Sequence, residues 1–380
     1  MSHPPHIHLR YGFESAAQPG ASIDHPLFDT LAALQQHGSI KHAADALGLS
    51  YRYVWGALRR WEEELGQPLV LWNRGTRATL TPYALRLMWA ERQARVRMAP
   101  HLEALRSELQ HAFQAAGEAG FEIVQTAASH DLALPRLQGL AARRKVHLSI
   151  NFAGSADALR ALNDGRCQLA GFHVPRLPDL AYGSTVFAQA LRPLLKPGLH
   201  KLIGSHSRLQ GLMYGKSCPD VPSWQNLCEG RLRFVNRQTG SGTRLLLEHL
   251  AQTGGNDLRR IDGYETRVEE THMAVAATVA SGQADVGLGV EAAAREFGLG
   301  FVPLAQEDYY LVCLKPALDS PAVTQLRETL ASRAWADAIA NLAGYSVQRG
   351  GEVLSLTHAL PWWEFAKPRR RGKTRAGAAG

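Results

Sequence analysis

The residues best suited to hold or transform a ligand lie in the run NRQTGSGTR, Asn236 to Arg244. It follows an apolar strand-like stretch, RLRFV, and opens a helical pattern, LLLEHLAQ. Gly240 and Gly242 let the backbone turn tightly and come close to a bound group. Thr239, Ser241 and Thr243 bring hydroxyls, and Arg237 and Arg244 bring positive charge. The helix start adds unpaired N–H groups at the positive end of its dipole. This is the chemistry of an anion site. The run lacks the Gly-Lys-Ser/Thr ending of a Walker loop and the spacing of a dinucleotide fingerprint. The blander reading is a capped helix behind a glycine turn, in which the same residues serve local structure only.

Other strand ends offer partners for it. Ser129, in ASH, follows one strand pattern, and Gly154-Ser155 follows the next and starts a helix. His173 ends a third, in GFHV, and Thr271-His272 precede another helix. Hydroxyls and helix starts contributed by two lobes would wrap a small oxyanion with neutral donors. Each taken singly is weak, because Ser and Thr cap helices everywhere and a lone histidine is more often structural. Catalysis finds little support. There is no G-x-S-x-G elbow and no H-E-x-x-H pair, and Ser129, His130 and Asp131 are too close in sequence for a converging triad. No catalytic residue is expected, and no metal site beyond adventitious binding at His3, His6 and His8.

The elements that would position these residues alternate. From residue 120 the chain reads strand (FEIVQTAAS), helix (DLALPRLQGLAARRK), strand (VHLSINFAGS), helix (DALRALNDGR), strand (CQLAGFHV). After a Pro-containing connection a second set runs RLRFVN, GSGTRLLLEHLAQTG, ETHMAVAATVASG, ADVGLGV, EAAAREFG, GFVPLA and YYLVCL, with a closing helix over 320–343. Such alternation predicts α/β architecture, here a bilobed domain of two βα lobes over 117–350 with the ligand in the cleft. The tail, 351–380, ends in PRRRGKTRAGAAG and is expected to be basic and disordered.

The N-terminal third has a different texture. Residues 1–22 form a flexible N-terminus, and 23–82 predict an all-α winged helix. Within it Ala43, Ala44 and Ala46 permit close helix packing, Gly48 ends one helix and Ser50 caps the next. In that next helix Val54, Leu58, Trp61 and Leu65 form one apolar stripe. Ser50, Tyr51, Arg52, Tyr53, Trp55 and Arg59 are then placed to contact DNA at the major groove, Trp55 being the one that could instead belong to the core. PLVLWNRGTRATLTP reads as a hairpin wing whose Arg74 and Arg77 would hold phosphates. Residues 83–116 predict a linker and dimerisation helix, kinked or split at Pro100.

Composition agrees with this plan. The chain has 380 residues, enough for two or three domains, and a net charge of +8, which favours a polyanionic partner. Its four cysteines show no metal or disulfide spacing, which suits a cytoplasmic, reducing setting. Neither a secretory signal nor a membrane-length apolar run is present in the sequence.

Residues 27–82 resemble the winged helix-turn-helix of LysR-type regulators, and GSIKHAADALGLSYRYVWGALRRWEEELGQPLV is similar in particular to the DNA-binding domain of the ModE family. Residues 120–345 do not resemble the small molybdate-binding domains of ModE itself. FVNRQTGSGTRLLLEHL, AGFHV and ASGQADVGLGVEAAA resemble the periplasmic-binding-protein-like domain fused to such winged helices and found on some molybdopterin-biosynthesis proteins. The resemblance implies a ligand-responsive transcription regulator with no covalent cofactor. It would bind a double-stranded DNA operator as a homodimer or homotetramer, away from membranes. Its effector would be a small anion tied to molybdenum metabolism: molybdate, tungstate, a molybdopterin-type ligand, or formate as substrate of a molybdoenzyme. The rival classes are a cytosolic or transport-linked binding protein and an enzyme of molybdenum cofactor metabolism built on the same clamshell.

Overall fold

The computed structural model describes residues 13–14, 22–23, 26–72, 78–116, 122–176, 185–216, 218–360 and 362–363. The basic terminus beyond 363 and His3, His6 and His8 lie outside them. Two short strands, β1 (Phe13–Glu14) and β2 (Ser22–Ile23), pair antiparallel ahead of the first helix.

Three helices then pack through small residues: α1 (Pro26–His37), α2 (Ile40–Leu47) and α3 (Tyr51–Leu65). Ser39 and Ser50 cap α2 and α3, accepting from His42 N and Tyr53 N. Gly48 closes α2 at φ 67°, a left-handed conformation that a side chain would strain. Leu31, Ala43, Val54, Leu58 and Trp61 share one core. Strands β3 (Val70–Trp72) and β4 (Ala78–Leu80) form the hairpin.

Helix α4 (Pro82–Ala116) runs without interruption through Pro100, against the expectation that the proline would split it. Contacts on both sides of Pro100 hold it in line. Gln93 and Arg97 bond Ser281 and Glu269 before it, and Pro100, His101 and Ala104 line the cleft described below.

One ten-stranded sheet organises the rest. Its first lobe holds the parallel strands β5 (Glu122–Ala128), β6 (Val146–Phe152) and β7 (Leu169–Arg176), in the order β7-β5-β6. Helices α5 (Leu134–Ala142), α6 (Ser155–Asn163) and α7 (Val186–Leu191) cover the two faces of that lobe. The second lobe holds β9 (Phe234–Arg237), β10 (Val268–Glu269) and β11 (Val286–Val290), also parallel. It is flanked by α8 (Trp224–Cys228), α9 (Gly242–Thr253), α10 (His272–Ala280) and α11 (Glu291–Glu296). Both faces of both lobes are buried, which is why the strands are nearly continuous apolar runs.

Two long antiparallel strands, β8 (His200–Tyr214) and β12 (Gly300–Leu314), cross between the lobes. Sequence reasoning passes over β8, because HKLIGSHSRLQ has the polarity of a loop. It takes GFVPLA and YYLVCL as two strands, where the structure joins them into β12 with irregularities between Pro303 and Ala305 and between Tyr309 and Tyr310. Proline is tolerated at such a break because the ladder is already interrupted there.

The closing helix over 320–343 is two helices, α12 (Pro321–Leu330) and α13 (Arg333–Ala340). Ser332 starts the second by accepting from Trp335 N, which lets Trp335 turn into the core. The disordered tail does not begin at 351. After β13 (Tyr345–Ser346), β14 (Val353–Leu354) pairs with β8, and α14 (Leu356–Ala359) follows. Leu356, Leu360 and Trp362 are buried in the first lobe, because their apolar area outweighs the polar texture around them.

Candidate functional site

The α3 surface is open. Arg52, Tyr53, Trp55 and Arg59 are exposed and turned away from the Val54–Leu58–Trp61 stripe, Tyr51 is exposed in the first turn, and Ser50 serves as the cap. Trp55 is 41% exposed, with the Arg59 guanidinium 5.5 Å from its ring, so it belongs to the surface and not to the core. Arg59 also bonds Glu62, whose other oxygen accepts from Leu69 N at 2.8 Å and from Val70 N at 3.2 Å. Glu62 therefore fixes the hairpin to the helix. Arg74 and Arg77 lie outside the described residues.

The second site is a cleft of about 300 Å³ between the lobes. Strand ends and helix starts meet there, as in open α/β sheets generally. The first lobe contributes Ser129, His130, Asn151, Gly154, Ser155 and His173. The second contributes Arg237, Ser241, Gly242, Thr243, Thr271 and His272, with Arg208 reaching in from β8. At the rim the lobes nearly touch. A Cβ built on Gly154 would lie 3.3 Å from the Gly240 carbonyl oxygen, so glycine at 154 allows this approach. The first turns of α6, α9 and α10 all open on the cleft. The Ser155 hydroxyl is buried there without a hydrogen-bond partner, as are His130 Nδ1 and His272 Nδ1.

Two residues expected in the site stand elsewhere. Thr239 is exposed and is not among the lining residues, because the turn at Gly240, φ 81°, swings it outward. Arg244 turns back along α9 to Glu248 at 3.2 Å and Glu265 at 2.8 Å, over the Tyr264 ring. Two carboxylates on its own lobe satisfy it.

Behind Ser129 lies a buried polar cluster that sequence reasoning did not see. Ser129 Oγ is 2.8 Å from His173 Nδ1, and His173 Nε2 is 3.1 Å from Asp131 Oδ2. Asp131 also accepts from Arg208 (2.8 Å), Ala133 N (2.7 Å) and Tyr345 OH (3.3 Å), with His206 Nε2 at 3.1 Å. Arg208 is bonded in turn to Glu307, its register partner on β12. Ser129 and Asp131 do converge, through His173 instead of the adjacent His130. The only hint in the sequence was an arginine and a glutamate within two runs whose pairing register no local pattern fixes.

Electrostatics separates the cleft's groups. Burial alone would raise the Asp131 carboxyl, but His206, His173 and Arg208 outweigh it and hold it well below the carboxylate range. Burial lowers His173 to about 4, with Arg208 adding to the effect. Burial, then the Arg237 charge, lowers His130 to about 4 and His272 well below its ordinary value. These imidazoles are neutral at physiological pH. Arg237 is only 5% exposed, and its hydrogen bonds go to two uncharged oxygens, Gln238 Oε1 at 2.9 Å and the Glu270 carbonyl at 2.8 Å. Burial, reinforced by Arg208, brings its guanidinium down to about 9. A buried cation without a carboxylate partner is costly, and a bound anion would relieve that cost. The Ser129–His173–Asp131 chain is poorly made for nucleophilic catalysis. Asp131 is already neutralised by Arg208, and a histidine titrating near 4 is a weak base at neutral pH.

Residues 138–331, just over half of the chain, match the PBP superfamily domain, and residues 27–85 match the bacterial regulatory helix-turn-helix protein, lysR family. The chain belongs to the PBP superfamily and joins that domain to a helix-turn-helix of the lysR family. It is similar to "Uncharacterized protein YvgK" of Bacillus subtilis (strain 168), 29% identical over 204 residues, 53% of this chain and 64% of that one. It thus spans just under two thirds of YvgK's length. It is also similar to "Uncharacterized protein in ferredoxin 2Fe-2S gene 5'region" of Clostridium pasteurianum, 32% identical over 112 residues, 29% of this chain and 98% of that one. Among solved structures it aligns with an OxyR C206 mutant of Corynebacterium glutamicum (18% identity, 83% of this chain and 93% of that one, TM-score 0.41). Full-length BenM aligns at 16% identity over 80% of this chain and 94% of that one, with a TM-score of 0.39. Among the described residues no helix is long and apolar enough to cross a membrane.

Proposed function

We propose that the chain is a ligand-responsive transcription regulator that binds operator DNA through α3 and a small anion in the interlobe cleft. The observation that carries the anion is Arg237, buried at the cleft wall with neutral partners and surrounded by three helix starts. Molybdate, tungstate, a molybdopterin-type ligand and formate are the effectors to try first. Homodimers or homotetramers would present two α3 helices to two half-sites. The exposed Met98, Leu105 and Leu109 on α4 are suited to such a contact.

Helix α4 is the proposed link between the two sites. Arg97 grips Glu269 with two hydrogen bonds, and Glu269 adjoins Glu270, whose carbonyl accepts from Arg237. An anion that draws Arg237 to itself would shift this corner and α4 with it. Coupling then equals the ligand's differential affinity for the two arrangements.

Thermal unfolding of the full chain against molybdate, tungstate, sulfate, hydrogenphosphate, glycolate, formate and a molybdopterin extract tests the cleft. A ligand at 100 times its dissociation constant adds about 2.7 kcal/mol. If no member of the panel shifts the transition, the anion reading fails. Arg97→Ala should leave anion affinity within about threefold and abolish the anion's effect on operator binding. Coupling retained in that variant would remove α4's Arg97 from the path.

A further inference from the structure

We infer that the cleft selects an anion that still carries a hydrogen-bond donor, because Ser129 meets its ligand as an acceptor. This rests on reading the cleft as an anion site, and it narrows the ligand class.

The argument follows protons outward from Asp131. A carboxylate only accepts, and Asp131 is surrounded by donors: Arg208, Ala133 N and Tyr345 OH. The hydrogen bond between Asp131 Oδ2 and His173 Nε2 therefore uses a proton on Nε2. A neutral imidazole carries one N–H, so His173 Nδ1 is a bare lone pair. The burial and the nearby Arg208 that keep His173 neutral support this state. Ser129 Oγ, 2.8 Å away, has a single proton and donates it to Nδ1. What Ser129 has left for the cleft is lone pairs.

The facing wall has the opposite polarity. Ser241 Oγ accepts from Arg244 N, and Thr271 Oγ1 accepts from Ala274 N. Their own protons remain for the ligand, alongside the Arg237 guanidinium. The second lobe, with the α6 start and the Ser155 hydroxyl of the first, offers donors where Ser129 offers an acceptor. An oxyanion stripped of every proton would set its lone pairs against those of Ser129. One that keeps a hydroxyl, such as hydrogenphosphate or a 2-hydroxycarboxylate, satisfies both walls. Leaving one buried polar group unmatched is enough to discriminate strongly between otherwise similar ligands.

The test compares matched pairs by isothermal titration of the full chain, at mildly alkaline pH where phosphate keeps one proton. Hydrogenphosphate and sulfate are tetrahedral dianions that differ by that proton, and glycolate and acetate differ by one hydroxyl. In each pair the donor-bearing member should bind about tenfold tighter or more. Molybdate and tungstate should fall with sulfate. Ser129→Ala should bring the ratio towards one by weakening the donor-bearing ligand and relieving the lone-pair clash of the donor-free one, opposed changes that general loosening of the cleft would not produce. Wild-type binding of sulfate or molybdate as tight as hydrogenphosphate would overturn the inference and leave the anion cleft standing. A ratio unchanged in a folded Ser129→Ala variant would also overturn it. No binding by any of these anions would overturn both the inference and the anion reading beneath it.

Discussion

Helix α3 and strand β8 both carry arginines among polar neighbours, yet they place them in opposite surroundings. Tyr51, Arg52, Tyr53 and Arg59 stand in solvent along the helix. Ser205, His206, Ser207 and Arg208 are buried in mid-sheet, and Arg208 meets Asp131 and Glu307 from distant parts of the chain. An arginine on the first surface is available to another molecule. An arginine in the second is part of the molecule's own charge balance. Residue type therefore says little about role until burial is known.

Breaking that balance should give the largest effect. Arg208→Ala leaves Asp131 and Glu307 as buried uncompensated carboxylates, and loss of one partner of a buried ion pair costs about 3–5 kcal/mol. Urea unfolding measures it, and a loss near zero would mean that water reaches the cluster.

Acid should sharpen the contrast. His130 and His173 titrate near 4 in the folded chain against an ordinary 6.5, so the unfolded chain binds more protons between those values. Their contribution is present above 6.5 and is lost as pH falls towards 4. The melting temperature should decline across that window, and a flat profile would contradict burial of these rings.

On the open surface, Arg52→Ala should keep stability within about 0.5 kcal/mol and cost about 1–3 kcal/mol of operator affinity if it reads a base. Gel-shift titration at fixed salt decides, and unchanged affinity would move the groove contact to other residues. The smallest effect belongs to Thr239→Ala, beside Ser241→Ala as the lining counterpart. Anion affinity should stay within about twofold for Thr239, an exposed side chain away from the cleft, and should fall for Ser241, which would lose a charge-assisted hydrogen bond. Equal losses would place Thr239 at the ligand.

The helix-turn-helix, the alternation of strands and helices, and the glycine turn before α9 were legible in the residues alone. These depend on interactions only a few residues long: Ser50 caps its own helix, Gly48 and Gly240 take positive φ, and the Val54–Leu58–Trp61 stripe follows helical period. Tertiary structure alone decided the rest. It made HKLIGSHSRLQ a central strand because β12 on one side and β13 and β14 on the other supply its hydrogen bonds, continued α4 through Pro100 against the cleft, and turned Arg244 away while leaving Arg237 facing it. It joined Ser129, His173 and Asp131, and so set which atom of Ser129 holds its proton. Those outcomes depend on partners tens to hundreds of residues away, and strand register, which brings Arg208 opposite Glu307, is a property of the packed sheet and not of either strand.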